Sequence, residues 1–319
     1  MTQGDLIKER QRFSESMLQN IRDEISKIEV LTAFEDKLCI YVTGSFARGE
    51  ASKYSDIDIF FISKGPIKNL DFILLKAELI KITRTLELPD FSGDGEFLTN
   101  HDLSDIIKKL GSPEDDYKNY FTARMLLLLE SKPLFNDKLY NEAILDIIKV
   151  YFNDYAKHEV NFKPIFLAND IIRFWKTMCL NYEEKRKRNE SDKTSKPKYR
   201  LKNLKLKFSR ITTCYSLLCC LKEDNQTPDD LHNLILKTPL ERLSYIKDNQ
   251  ASSIKIVKKM IALYEWFLRS TEDETSNLHD WIKVSKNKNL ANKNAGDFHD
   301  NFYDLLQLTS NKLLKYYTL

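Results

Sequence analysis

The sequence predicts an α+β chain, with a small mixed sheet near its start followed by a larger all-helical region. Three observations predict it. Up to residue 103, strand-like and helix-like patterns alternate, as in a small mixed α/β sheet. From residue 104 onward the apolar spacing is helical almost throughout. Glycine and proline number only eight each, which disfavours a turn-rich all-β fold. The expected organisation is a sheet-bearing domain over residues 1–103 and a helical domain over residues 104–319.

Phe13, Met17, Ile21, Ile25 and Ile28 recur at three- and four-residue spacing, which predicts an amphipathic helix. The apolar runs Leu38–Thr43 and Ile57–Ile62 read as strands. Ile67 to Leu86 reads as a helix ended by Pro89, and Glu96–Thr99 as a short strand after a glycine-bearing loop. Later helices are expected over Phe121–Leu129, Tyr140–Tyr155, Phe166–Lys187, Arg200–Leu221, Ile254–Leu268 and Phe298–Tyr317. The polar stretch Arg188–Lys198, which contains Pro197, reads as a loop between two of them.

Hydrophobic residues make up 42% of the 319 and charged residues 30%, the balance of a soluble globular protein rather than a disordered chain. A net charge of +3 is too close to neutral to argue for nucleic-acid binding. Five scattered cysteines and five histidines show no metal-ligand spacing, and the cysteines read as buried free thiols of a reducing compartment. No apolar run approaches the ~20 residues that span a bilayer, and the start Met-Thr-Gln-Gly-Asp reads as no signal peptide. The expectation is a cytoplasmic protein with no membrane partner.

The chemistry concentrates between residues 44 and 62. A Gly44-Ser45 turn follows the first apolar run, and Asp56 and Asp58 lie in the second. Side chains at i and i+2 of a strand share a face, so the two carboxylates are expected side by side. Like charges on an apolar strand repel and lose hydration unless a cation joins them. Mg²⁺ takes one or two carboxylates plus phosphate oxygens, so Mg²⁺ with a nucleotide is the leading reading. A glycine-bearing turn lets backbone N–H groups and the Ser45 hydroxyl approach a phosphate, with Arg48 nearby as a further positive group. Neither the G-x-x-x-x-G-K-[ST] loop nor G-x-G-x-x-G is present.

Gly-Ser, ten intervening residues and then Asp-x-Asp resembles the signature of the DNA polymerase β-type nucleotidyltransferase superfamily. The version here, G-S-F-A-R-G-E-A-S-K-Y-S-D-I-D-I, is most similar to small bacterial nucleotidyltransferases and the PII-protein uridylyltransferase group. The resemblance covers residues 38–63 and implies a polymerase β-like catalytic domain. It also implies a third carboxylate on a following strand, for which Glu96 is chosen over Asp94 and Asp90; an ordinary strand-edge carboxylate is the other reading of Glu96. Helical domains of the superfamily supply a Lys and a hydroxyl to the phosphates. Lys205 and Ser209 are the candidates, with Lys205 preferred to Lys207. Arg124, inside an apolar helix, is expected to pair with Asp115 or Asp116.

The expected activity is transfer of a nucleoside monophosphate from an NTP to an acceptor hydroxyl with loss of pyrophosphate. Asp56, Asp58 and Glu96 would hold two Mg²⁺ ions, and Gly44, Ser45, Arg48, Lys205 and Ser209 would contact the nucleotide. A protein side chain is the first choice of acceptor. An RNA or tRNA end, or synthesis of an oligonucleotide signal, is the alternative, and a non-catalytic nucleotide-binding regulator is the reading from another class.

Overall fold

The computed structural model describes residues 4–91, 95, 98–159, 162–188, 196–221, 226–310 and 313–318. The chain divides into two compact units. One comprises Ile7–Asp154 and Pro228–Thr238; the other comprises Met1–Leu6, Tyr155–Thr227 and Pro239–Leu319.

The first unit carries a four-stranded sheet. In chain order its elements are α1 (Asp5–Ile25), β1 (Leu38–Thr43), α2 (Gly44–Ala47), β2 (Asp58–Ser63), α3 (Asn69–Thr85), β3 (Asn100–Asp102), α4 (Leu103–Lys108), α5 (Pro113–Tyr117), α6 (Tyr120–Leu129), β4 (Lys132–Phe135) and α7 (Asp137–Tyr151). The strand order is β3-β2-β1-β4, with β1 antiparallel to both neighbours and β3 parallel to β2. Every residue of β1 is buried, as a central strand covered on both faces requires.

Alternation divides the two faces of this sheet. Leu38, Ile40 and Val42 of β1 and Ile59 and Phe61 of β2 join Leu18, Ile21 and Ile25 of α1 and Phe72, Leu75 and Leu79 of α3 in one core. On the opposite face Tyr41 stacks on Phe60 at 5.8 Å between ring centroids and meets Tyr140 of α7 at 6.4 Å. The expected helices around Met17–Ile25 and Leu70–Ile82 therefore form because their apolar stripes meet this sheet.

Two expectations about the sheet change. Among the described residues the strand after β2 is Asn100–Asp102; of the strand expected over Glu96–Thr99, Leu98 and Thr99 are not in a strand, and Glu96 and Phe97 lie outside the described residues. A fourth strand, Lys132–Phe135, lies in a stretch that reads as helical, so the sheet-bearing unit runs past residue 103 to Asp154. Pro133 hides this strand from propensity, yet its lack of an N–H is tolerated at the sheet edge where β4 sits. The Pro133 carbonyl accepts from Arg22 Nε at 3.2 Å and Nη2 at 3.1 Å, which ties the edge to α1.

Arg124 pairs with Asp115, as expected, and not through a substrate. Its Nη1 and Nη2 donate to Asp115 Oδ1 and Oδ2 at 2.8 and 2.7 Å, and Nε donates to the Tyr151 hydroxyl at 2.9 Å. Both side chains are fully buried. Removing one partner of such a pair strands a buried charge, so Asp115→Ala is expected to lower stability by about 3–5 kcal/mol. The check is the urea midpoint, which should fall with the slope of the transition unchanged.

The second unit is helical among its described residues. Its longest helices are Ile165–Arg188, Ile254–Ser270 and Ser285–Thr309. The expected helix over Arg200–Leu221 is built in three parts: α-helix Lys196–Lys205, a π-helical turn Leu206–Arg210 and α-helix Ile211–Cys220. The turn carries Phe208 into an aromatic cluster, stacked on Phe267 at 4.9 Å and on Phe298 at 4.7 Å. Cys39, Cys214, Cys219 and Cys220 are buried free thiols, and Cys179 is half-buried. Among the described residues, no helix is long and apolar enough to cross a membrane.

Candidate active site

The β1–β2 hairpin builds the site. Its ladder runs from Leu38 opposite Ser63 to Thr43 opposite Asp58, so Asp58 lies at the end of the central pair where the connection joins the two strands. The connection between these ends begins with Gly44, whose φ is +71°. A β-carbon built on Gly44 would stand 2.6 Å from Asp58 Oδ2. The Asp58 carboxylate thus occupies space that only glycine leaves vacant, directly against the Gly-Ser turn. Gly44 opens the one-turn helix α2, and Arg48 N–H closes onto the Gly44 carbonyl at 3.0 Å. Ser45 beside it is half-buried.

Asp56 stands differently from expectation. It was expected inside a strand, buried beside Asp58. The strand instead starts at Asp58 because β1 ends at Thr43 and offers no earlier partner. Asp56 is exposed in the connecting loop and Asp58 is half-buried, while Ile57 and Ile59 between and beyond them are buried. The cost of a buried carboxylate pair is therefore not the argument for a cation here. The argument is that the half-buried Asp58 carboxylate lies against the glycine turn, and that a second carboxylate, the exposed Asp56, stands two residues before it in the chain. Hard oxygen donors of this kind suit Mg²⁺.

The loop leading to Asp56 is held from α1. The Ala51 N–H donates to Ser14 Oγ at 3.1 Å, and Arg10 Nη1 donates to the Ala51 carbonyl at 3.2 Å. Ser52 and Ser55 tie the next turn, the Ser52 N–H donating to Ser55 Oγ at 3.0 Å and the Ser55 N–H to the Ser52 carbonyl at 2.9 Å.

The family model described as nucleotidyltransferase domain matches residues 23–196, more than half of the chain. The chain belongs to the nucleotidyltransferase-domain family. The match takes in the whole hairpin, the sheet and the helix Ile165–Arg188. No curated protein matches the chain at significance.

Within this nucleotidyltransferase domain Arg48, read from the motif as a phosphate contact, is engaged in the interior. Its guanidinium is buried, Nε donating to Glu50 Oε2 at 2.8 Å and Nη1 to Glu130 Oε2 at 2.5 Å. The side chain is held by two carboxylates of the domain interior. Glu130, Arg10 and Ser14 were not legible as parts of the site. Glu130 ends an apolar run, Met125–Leu129, and a carboxylate closing such a run is the one signal that pointed to a buried partner.

The third carboxylate expected at Glu96, and its competitor Asp94, lie outside the described residues; Asp90 is exposed. Among the described residues no three His, Cys, Asp or Glu side chains gather as a metal cluster. Lys205 and Ser209 belong to the helical unit, one on either side of the start of the π-helical turn. Lys205 is exposed, but Ser209, inside the turn next to the buried Phe208, is 5% exposed. Such turns often mark functional positions.

Proposed function

We propose that the domain transfers a nucleoside monophosphate from an Mg²⁺-bound NTP to an acceptor hydroxyl on a protein, with release of pyrophosphate. The observation that carries this reading is the Asp58 carboxylate lodged against Gly44 at the connected end of the central hairpin. The Gly44 and Ser45 backbone and the Ser45 hydroxyl hold the β- and γ-phosphates, and the α-phosphorus is thereby directed toward Asp58. Asp56 and Asp58 are the residues that would hold Mg²⁺, with Glu96 as the third carboxylate. Bound there, the metal supplies neutralisation of charge on the entering and leaving oxygens. The acceptor oxygen forms the new bond to the α-phosphorus as the α–β phosphoanhydride bond breaks, and the hydroxyl proton passes to a carboxylate of this set. Of the two phosphate candidates read from the sequence in the helical unit, Lys205 is exposed and the buried Ser209 hydroxyl is the weaker.

The similarity of the motif to groups that modify proteins favours a protein acceptor. A second reading, an RNA end, draws on one feature of the helical unit. Burial, and then the charges of Lys198, Lys185 and Lys205, hold the Lys202 ammonium below the usual lysine range. Cations gathered this closely suit a polyanion. Incubating the chain with each α-labelled NTP, Mg²⁺ and a cell lysate separates these outcomes. Label in a protein band supports the first reading and label in RNA the second. Nucleotide binding without pyrophosphate release would leave a non-catalytic regulator.

A further inference from the structure

Arg48, Glu50 and Glu130 form a buried ion triad that takes no part in the reaction just described; their side chains are 7, 3 and 0% exposed. The backbone of two of its members carries the Gly-Ser turn. Arg48 N–H donates to the Gly44 carbonyl at 3.0 Å, and Glu50 N–H donates to the Ser45 carbonyl at 2.8 Å. Glu130 stands at the end of α6, two residues before β4, which pairs with β1. The turn is therefore joined to the sheet twice: directly through β1, and again through Arg48 and Glu130 to the chain entering β4. Burying three charged groups is an expensive way to fill a core, since apolar residues of similar volume do as well or better. What an ion triad adds is direction, because a guanidinium shared between two carboxylates is fixed in orientation.

We propose that Glu130 is a positioning residue for the nucleotide phosphates. It holds Arg48, and Arg48 with Glu50 sets the carbonyls, and so the peptide planes, of Gly44 and Ser45. The inference rests on the reading of that turn as the phosphate-binding element. It makes a residue 82 positions downstream of Arg48 a determinant of nucleotide affinity.

The test compares full-length wild type, Glu130→Gln and Asp58→Asn well below their thermal midpoints. Two readouts are taken: amide hydrogen exchange over residues 43–51, and initial rates against Mg-NTP concentration. Glu130→Gln is expected to exchange the Arg48 and Glu50 amides about tenfold faster and to raise KM about tenfold, with kcat within about threefold of wild type. Asp58→Asn should show the opposite split, a low kcat with wild-type exchange. Unchanged exchange in Glu130→Gln, or faster exchange with unchanged KM, overturns the proposal. Should wild type transfer no nucleotide, the reading of the reaction fails by itself. Calorimetric Kd for Mg-ATP then replaces KM: weaker binding by Glu130→Gln supports its role and equal binding overturns it. Should Glu130→Gln not fold, Arg48→Lys, which keeps the charge but only part of the reach, is judged by the same criteria.

Discussion

Asp58→Asn is expected to lower nucleotide transfer by about three orders of magnitude, roughly 4 kcal/mol of barrier, with little change in stability. The side chain is half-buried at the connected end of the β1–β2 ladder, so an isosteric amide fits its place against Gly44. What the amide cannot do is neutralise a hard cation. Asp56→Asn should act in the same direction, and the double variant should retain no measurable activity. Asp36→Asn, an exposed carboxylate elsewhere in the same unit, is the control. Pyrophosphate release measured at saturating NTP and Mg²⁺ reports the result. Intact transfer by the double variant would remove both aspartates from the mechanism.

Gly44→Ala is the second large effect, an expected loss of about a hundredfold in kcat/KM, or ~2.7 kcal/mol. Two costs combine. Alanine at a φ of +71° is strained by about 1–2 kcal/mol. Its β-carbon would also stand 2.6 Å from Asp58 Oδ2, so the carboxylate must swing away from the turn. Gly65→Ala separates these costs, because Gly65 has a φ of +88° and nothing within 4 Å of an added β-carbon. It should lose comparable stability and keep full activity. Thermal midpoints together with kcat/KM for the two variants give the comparison, and equal activity losses in both would assign the effect to backbone strain alone.

The contrast between Arg48 and Arg124 shows how far a motif can be read without its surroundings. Both are arginines in or beside apolar stretches. Arg124 is predictable as a buried ion-pair member because it stands within a helix that has no polar face, and acidic residues lie nearby in the chain. Arg48 follows a Gly-Ser turn, so a phosphate is the natural expectation. One of its partners, Glu50, is two residues away, but the other, Glu130, is far off in the chain, and no local pattern shows that Arg48 and Glu130 meet. The paired aspartates show a subtler difference. Their spacing is legible as a shared chemistry, but the exposure of each depends on where β1 stops pairing, and that is set by the register of the hairpin.

Apolar periodicity and the Gly-Ser…Asp-x-Asp spacing were sufficient for the α+β class, the two central strands and the nucleotidyltransferase family, because each depends on residues close together in the chain. The edge strand through Pro133, the π-helical turn that carries the buried Ser209, and the commitment of Arg48 to an interior triad were not accessible that way. Each depends on at least one partner distant in sequence, whose pairing, packing and charge compensation come into being as each unit packs its own core.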